Sequence, residues 1–203
     1  SHNTGGILVF DLPDLPQQGG HHVRVFRNEV IDNDTDNFAP EGNIVGEVPR
    51  GTGIIIQANS DVEVFDNDIS GNGTVNVSIV TYSNETQDEN YYPHPRSIQI
   101  HGNRFGEGGF DPDIETGELA AILFELSGGN MPDIFWDGVI PTSQIIFGQP
   151  DNERLILSNN GDATFLTINP IKYLLPFFDP VETDITEYEG EVRPLAEITI
   201  NSF

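Results

Sequence analysis

The sequence predicts an all-β protein: a right-handed, single-stranded parallel β-helix of about three to four rungs. An antiparallel strand cap and a wrapping tail would close its C-terminal end. Three observations carry this expectation. A strand-like pattern recurs three times, each copy holds an asparagine at the same point, and the least decorated copy repeats after about 23 residues.

The pattern is apolar, any, apolar, two spacers, Asn, any, apolar. It runs from Val23 to Val30 around Asn28, from Val62 to Ile69 around Asn67, and from Ile98 to Phe105 around Asn103. A second unit precedes each copy, beginning at Gly6, Gly53 and Asn76. Alternation with period two in short Val- and Ile-rich runs reads as strand. From Ile54 to Val77 is 23 residues, room for three short strands and three turns. Stacked rungs about 4.8 Å apart would align Ile7, Ile54 and Val77, then Val9, Ile56 and Ile79, as inward columns. Val23, Val62 and Ile98, and Val25, Val64 and Ile100, would form two more. The Asn28, Asn67 and Asn103 side chains would bond to one another as an internal ladder. Asn also tolerates a left-handed backbone at a tight bend. His101 falls in the column of Phe26 and Phe65 and reads as a stacking residue.

Composition narrows the function classes. The 203 residues carry 33 acidic and 8 basic side chains, a formal charge of −25. A phosphate-binding stripe needs clustered Lys and Arg, so nucleic acid is excluded as a partner, and an anionic bilayer is disfavoured. No apolar run approaches 18 residues, so no membrane-spanning segment is predicted. With no cysteine there can be no disulfide, thiolate metal site or thiol nucleophile. Thirteen Phe among many Val and Ile argue against a disordered acidic coil.

The coil pattern, together with residues 3–13, 37–43 and 131–138, resembles a family of bacterial parallel β-helix repeat proteins within the pectate-lyase-like group. The resemblance implies a fold and an extracytoplasmic setting (secreted, periplasmic or cell-surface), and further coils ahead of Asn3. It implies no particular reaction. Physically, an uncovered first rung exposes unpaired backbone, so preceding coils or another chain are expected on it.

Insertions into the minimal rung locate candidate sites, because loops on a rigid scaffold carry most function. The turn at 57–60 is short, while its neighbours expand to 11–22 and 82–96. Two long loops flanking a short one predict a cleft. It would gather Asp11, Asp14, His21, His22, Asn59, Asp61 and Tyr91 for binding, with Tyr92, His94 and Arg96 as candidate catalytic residues. Carboxylates, imidazoles and phenols beside one arginine suit a polysaccharide, with Arg96 holding a sugar carboxylate and His94 or Tyr92 handling a proton. The bland alternative is that these loops pack down as decoration. The expected function is an extracytoplasmic, carbohydrate-interacting or surface-associated protein. Whether it is an enzyme is left open, leaning against; lyase, epimerase or glycoside hydrolase chemistry would be the candidates. The rival is an assembly module whose open first rung stacks on another chain, in the extreme as a fibre.

Asp32, Asp34 and Asp36 alternate like the start of a calcium loop, and Ca2+ is the ion such oxygens would take. The sixth and twelfth positions, Asn37 and Asn43, depart from the EF-hand pattern. No cofactor is required.

Three segments are expected: residues 1–117 as coils with inserted loops, 118–169 as a strand-rich cap, and 170–203 as an acidic tail. Residues 119–124 fit either a strand or a short helix, and 143–147 read as a strand. Residues 154–158 and 163–168, joined through Asn159-Asn-Gly-Asp162, read as a hairpin. Trp136 reads as cap core. Leu174, Leu175, Phe177, Phe178, Ile198 and Ile200 are too apolar for a free tail, which is expected to fold back over the outward column Leu8, Ile55 and Ser78 or over an adjacent face.

Overall fold

The computed structural model describes residues 1–40, 42–175 and 177–197. Ile198 and Ile200, singled out above, lie outside them. The chain runs in circuits, each strand entering a different sheet. The first circuit holds β1 (Gly5–Phe10), β2 (His21–Phe26) and β3 (Glu29–Ile31). The second holds β4 (Thr52–Gln57), β5 (Ser60–Phe65) and β6 (Asp68–Ser70), and the third β7 (Val75–Val80), β8 (Arg96–His101) and β9 (Arg104–Phe105). A helix, α1 (Glu118–Leu126), precedes β10 (Ile134–Trp136), β11 (Ile156–Ser158), β12 (Phe165–Ile168) and β13 (Val181–Glu182).

Three sheets result, ordered β1-β4-β7-β10-β12-β13, β11-β8-β5-β2 and β3-β6-β9. Every pairing is parallel except β12 with β13. Five parallel strands in the largest sheet exceed the three to four expected. The expected hairpin does not form: β11 pairs with β8 and β12 with β10, both parallel, so the two segments enter different sheets. An antiparallel cap is reduced to the two residue pairs between β12 and β13. Residues 119–124 are helix, and 143–147 hold a 3-10 turn at Thr142–Gln144 instead of a strand.

The register matches the repeats. Ile7 pairs with Ile54 and Ile54 with Val77, while Val23 pairs with Val62 and Val62 with Ile98. These inward columns form the main core, which Trp136, Leu155, Leu157 and Phe165 extend. Burying each such side chain contributes about 1.5–3 kcal/mol, and β-branched residues lose little freedom in a strand.

The asparagine ladder is continuous. Asn28 Nδ2 donates to Asn67 Oδ1 and Asn67 Nδ2 to Asn103 Oδ1, each at 2.9 Å; Asn103 Nδ2 donates to a fourth member, Asn160 Oδ1, at 3.2 Å. The left-handed residue is not the asparagine, as expected, but the one before it: Arg27, Asp66, Gly102 and Asn159 have φ of 55, 53, 63 and 53°. The asparagine side chain then bonds back across that bend. A second polar run links Asn33, Asn72, Asn76 and Asp133. It explains two glycines. A Cβ on Gly53 would lie 2.4 Å from Asn76 O and 2.7 Å from Asn72 Nδ2, and one on Gly6 would lie 2.8 Å from Asn33 Nδ2.

The outward column of the first sheet is covered by α1, not by the tail. Leu123 packs with Ile55, Val75, Val80 and Phe135 in a second apolar cluster. The tail instead crosses β8 and β5, an adjacent face. Gln99 Nε2 donates to Arg193 O at 2.7 Å, and the Leu195 N–H to Glu63 Oε2 at 3.1 Å. Glu63, 1% exposed, also accepts Arg24 Nε at 3.1 Å and faces His101 Nε2 at 3.0 Å.

Candidate functional site

The two long loops meet. The Tyr91 hydroxyl donates to Asp11 O at 2.7 Å, the Asp14 N–H donates to Asp88 Oδ2 at 2.9 Å, and Gln18 bonds the same carboxylate. The Asp11 carboxylate folds inward to accept the Gly19 N–H at 2.9 Å, while Gly20 presses against Asn59. Asp11, Asn59 and Tyr91 are therefore buried in a seam. Burial pushes the Tyr91 phenol well above its ordinary range. Asp14, His21 and His22 are exposed, and Asp61 is half-buried at a left-handed position with φ 50°.

Tyr92, His94 and Arg96 stand together beyond this seam. The Arg96 guanidinium lies 4.2 Å from the Tyr92 ring centroid, a cation–π distance. The His94 ring meets the same tyrosine edge-on at 5.6 Å. Burial lowers the His94 pKa, favouring neutral imidazole, and raises that of Tyr92. Among the described residues no carboxylate oxygen lies within 4.0 Å of the Arg96 guanidinium, nor of those of Arg27 and Arg193, whereas Arg24, Arg50, Arg104 and Arg154 are ion-paired.

Asp137 was not found from the sequence. It follows β10, and its carboxylate accepts the Thr81 N–H at 2.6 Å and the Val139 N–H at 3.0 Å. Burial pushes its pKa up to about 6, against the pull of those two donors. The Thr81 hydroxyl lies 3.4 Å from His94 Nδ1. Asp137 and His94 thus share Thr81, one through its amide and one through its hydroxyl. Asp137 also ends a groove of about 800 Å3, floored by Phe10, Ile55 and Val80 and walled by Leu119 and Ile122 of α1. The pairing of Thr81 with Asp137 spans 56 residues of sequence. Only the β7–β10 register, hidden by the helical insertion, could have revealed it.

The acidic turn is organised around Arg50. Its Nη1 lies 2.7 Å from Asp34 Oδ1 and 3.0 Å from Asp111 Oδ2, and its Nε 3.7 Å from Asp36 Oδ1. Desolvation raises the Asp34 pKa, with Asp111 adding to it, and Arg50 opposes the rise. Asp32 is an exposed turn residue with φ 52°. Among the described residues no three His, Cys, Asp or Glu side chains gather as a metal site. The charge compensation a calcium ion would supply comes here from a guanidinium. Asp113 accepts the Arg50 N–H at 3.0 Å and the Thr116 hydroxyl at 2.7 Å. It is a turn-fixing residue.

No helix among the described residues is long and apolar enough to cross a membrane. No family model, curated protein or solved structure matches the chain.

Proposed function

We propose that this chain is a right-handed parallel β-helix from an extracytoplasmic, surface-associated protein, and that it binds an acidic saccharide at Arg96. The parallel circuits support the architecture, since parallel crossovers are right-handed in about 98% of cases. The setting rests on the resemblance of its coils to bacterial β-helix repeats, read from the sequence alone. One observation carries the binding reading: Arg96, stacked on a partly exposed tyrosine, has no carboxylate oxygen within 4.0 Å among the described residues, in a chain with 33 acidic side chains. A guanidinium presents paired donors that match a carboxylate, and Tyr92 offers an aromatic surface beside it. The net charge of −25 disfavours long polyuronates, so a short oligosaccharide or a terminal uronate fits better. Catalysis is no part of this proposal, although neutral His94 beside Arg96 is a suitable proton acceptor.

The test is titration calorimetry with digalacturonate against digalactose. The acidic sugar should bind, more weakly as salt rises, and Arg96→Gln should cut its affinity about tenfold or more. Equal affinity for both sugars, or an unaffected Arg96→Gln variant, would refute the reading.

A second reading rests on a different observation. β1, β2 and β3 are each outermost in their sheet, and Asn28 Oδ1 receives no hydrogen bond among the described residues, unlike the other three ladder members. A further coil, of the same polypeptide or another, would stack there and extend the ladder. Faster amide exchange in β1–β3 than in β4–β6 at low concentration supports this, and equal protection opposes it.

A further inference from the structure

At the opposite end of the molecule the tail returns over the last strands and leaves a cleft of about 760 Å3, within the range of small-molecule sites. Its inner wall holds Trp136, the chain's one tryptophan, and Tyr188, whose ring meets it in a T-shape at 5.6 Å. Thr167 also lines the cleft and is 2% exposed, yet among the described residues its Oγ1 has no hydrogen-bond partner within 3.5 Å. The Tyr188 phenol lies beside it, outside full hydrogen-bond geometry, so a ligand hydroxyl reaches this oxygen by displacing the phenol. The neighbouring Gly138 has no side chain to offer, though a Cβ there would lie only 3.0 Å from that oxygen. A buried hydroxyl left unpaired costs stability. In the wall of a cleft, a ligand hydroxyl that displaces Tyr188 would complete its pairing.

Charge then selects among ligands. Glu187 and Glu189 line the mouth and are exposed, free of ion pairs among the described residues. The cleft's Glu182 is already held by Lys172 at 2.8 Å. The lining guanidinium, Arg154, is engaged by the Glu187 carbonyl and faces Asp151 at 3.9 Å. An anion would meet two carboxylates outside any ion pair, with Lys172 the cation that feels Glu187, whereas a cation would be held by them beside two aromatic rings. We propose that this cleft binds a small hydroxylated ammonium compound, an amino sugar with a free amine. Its ammonium sits by Glu187, Glu189 and the aromatic pair, and a ring hydroxyl pairs with Thr167 Oγ1. The site is separate from Arg96 and does not depend on what binds there.

Trp136 gives a direct readout on the full chain. Titration with glucosamine, below the pKa of its amine, should change tryptophan emission saturably. N-acetylglucosamine, which keeps the ring but loses the charge, should bind about tenfold more weakly or less. Thr167→Val removes the unpaired hydroxyl at nearly constant shape. It should leave the thermal midpoint unchanged or higher while weakening glucosamine about tenfold. Should that variant fold poorly, Glu187→Gln with Glu189→Gln alters only exposed groups and should weaken binding to a similar extent. Absence of a saturable response to glucosamine overturns the proposal. So does an equal response to the acetylated sugar, or unchanged affinity in whichever of these variants folds.

Discussion

Replacing Asn67 by alanine should destabilise the chain far more than the same change at Asn28, although both occupy the same column. Asn67 is 1% exposed. Its Nδ2 donates to Asn103 Oδ1 and Val25 O at 2.9 Å and to Phe65 O at 3.0 Å. Its Oδ1 accepts from Asn28 N and Nδ2 at 3.0 and 2.9 Å. Alanine would leave the Val25 carbonyl and the Asn28 amide short of their partners. At about 1–3 kcal/mol for each of these two orphans, the loss sums to about 2–6 kcal/mol. Asn28 is half-buried and, among the described residues, has no ladder member above it and donates from its side chain only to Asn67 Oδ1 and Phe26 O. After its removal Asn67 Oδ1 still accepts the backbone N–H of residue 28, so the cost should be about 1 kcal/mol. Urea unfolding measures both. With a slope of about 2 kcal/mol per molar, Asn67→Ala should lower the midpoint by about 1–3 M and Asn28→Ala by about 0.5 M. Equal losses would refute the ladder as a load shared between stacked circuits.

Two further expectations follow from local geometry. Gly53→Ala forces a Cβ to within 2.4 Å of the Asn76 carbonyl and should cost about 3 kcal/mol by overpacking; thermal unfolding unchanged from wild type would contradict the close approach. Asp137 binds its proton more tightly folded than unfolded, since its pKa rises from 3.8 to about 6. Its contribution is therefore fully present below about pH 4 and lost as pH rises through 6. Relative to Asp137→Asn, wild type should lose stability across that window and hold a constant gap above it; urea midpoints over the pH series check the sign, no slope would show the carboxyl to be solvated, and an opposite slope would show its two donors to outweigh burial.

The repeats were legible because their chemistry is local. Period-two alternation placed Val62 and Val64 inward, and the fixed Asn28, Asn67 and Asn103 set the register between circuits without any knowledge of the loops. The fourth ladder member was written in the same code: Leu155, Leu157 and Asn160 keep the spacing of Val62, Val64 and Asn67. It was hidden by the Asn159-Asn-Gly-Asp162 turn signal, whose hairpin geometry competes with a bend between two parallel sheets. Gly102 and Asn159 show that the bend itself needs a left-handed residue before the asparagine, so Asn-Gly there marks a corner. At the candidate site, sequence grouped Tyr92, His94 and Arg96 correctly as neighbours because they lie within five residues. It missed Asp137 and Thr167, whose surroundings are made by strands 56 or more residues away or by the returning tail. The order of charges around Arg50 was likewise invisible, since Asp34 and Asp111 approach it from separate circuits.

The central claim, that successive circuits stack in parallel around an asparagine ladder, is most directly tested by nuclear Overhauser contacts between side-chain amides in a labelled sample. The stacked arrangement predicts contacts from Asn28 to Asn67, Asn67 to Asn103 and Asn103 to Asn160, in that order, with none linking non-adjacent members. Contacts across a hairpin joining residues 156–158 to 165–168, with no Asn103 to Asn160 contact, would contradict it.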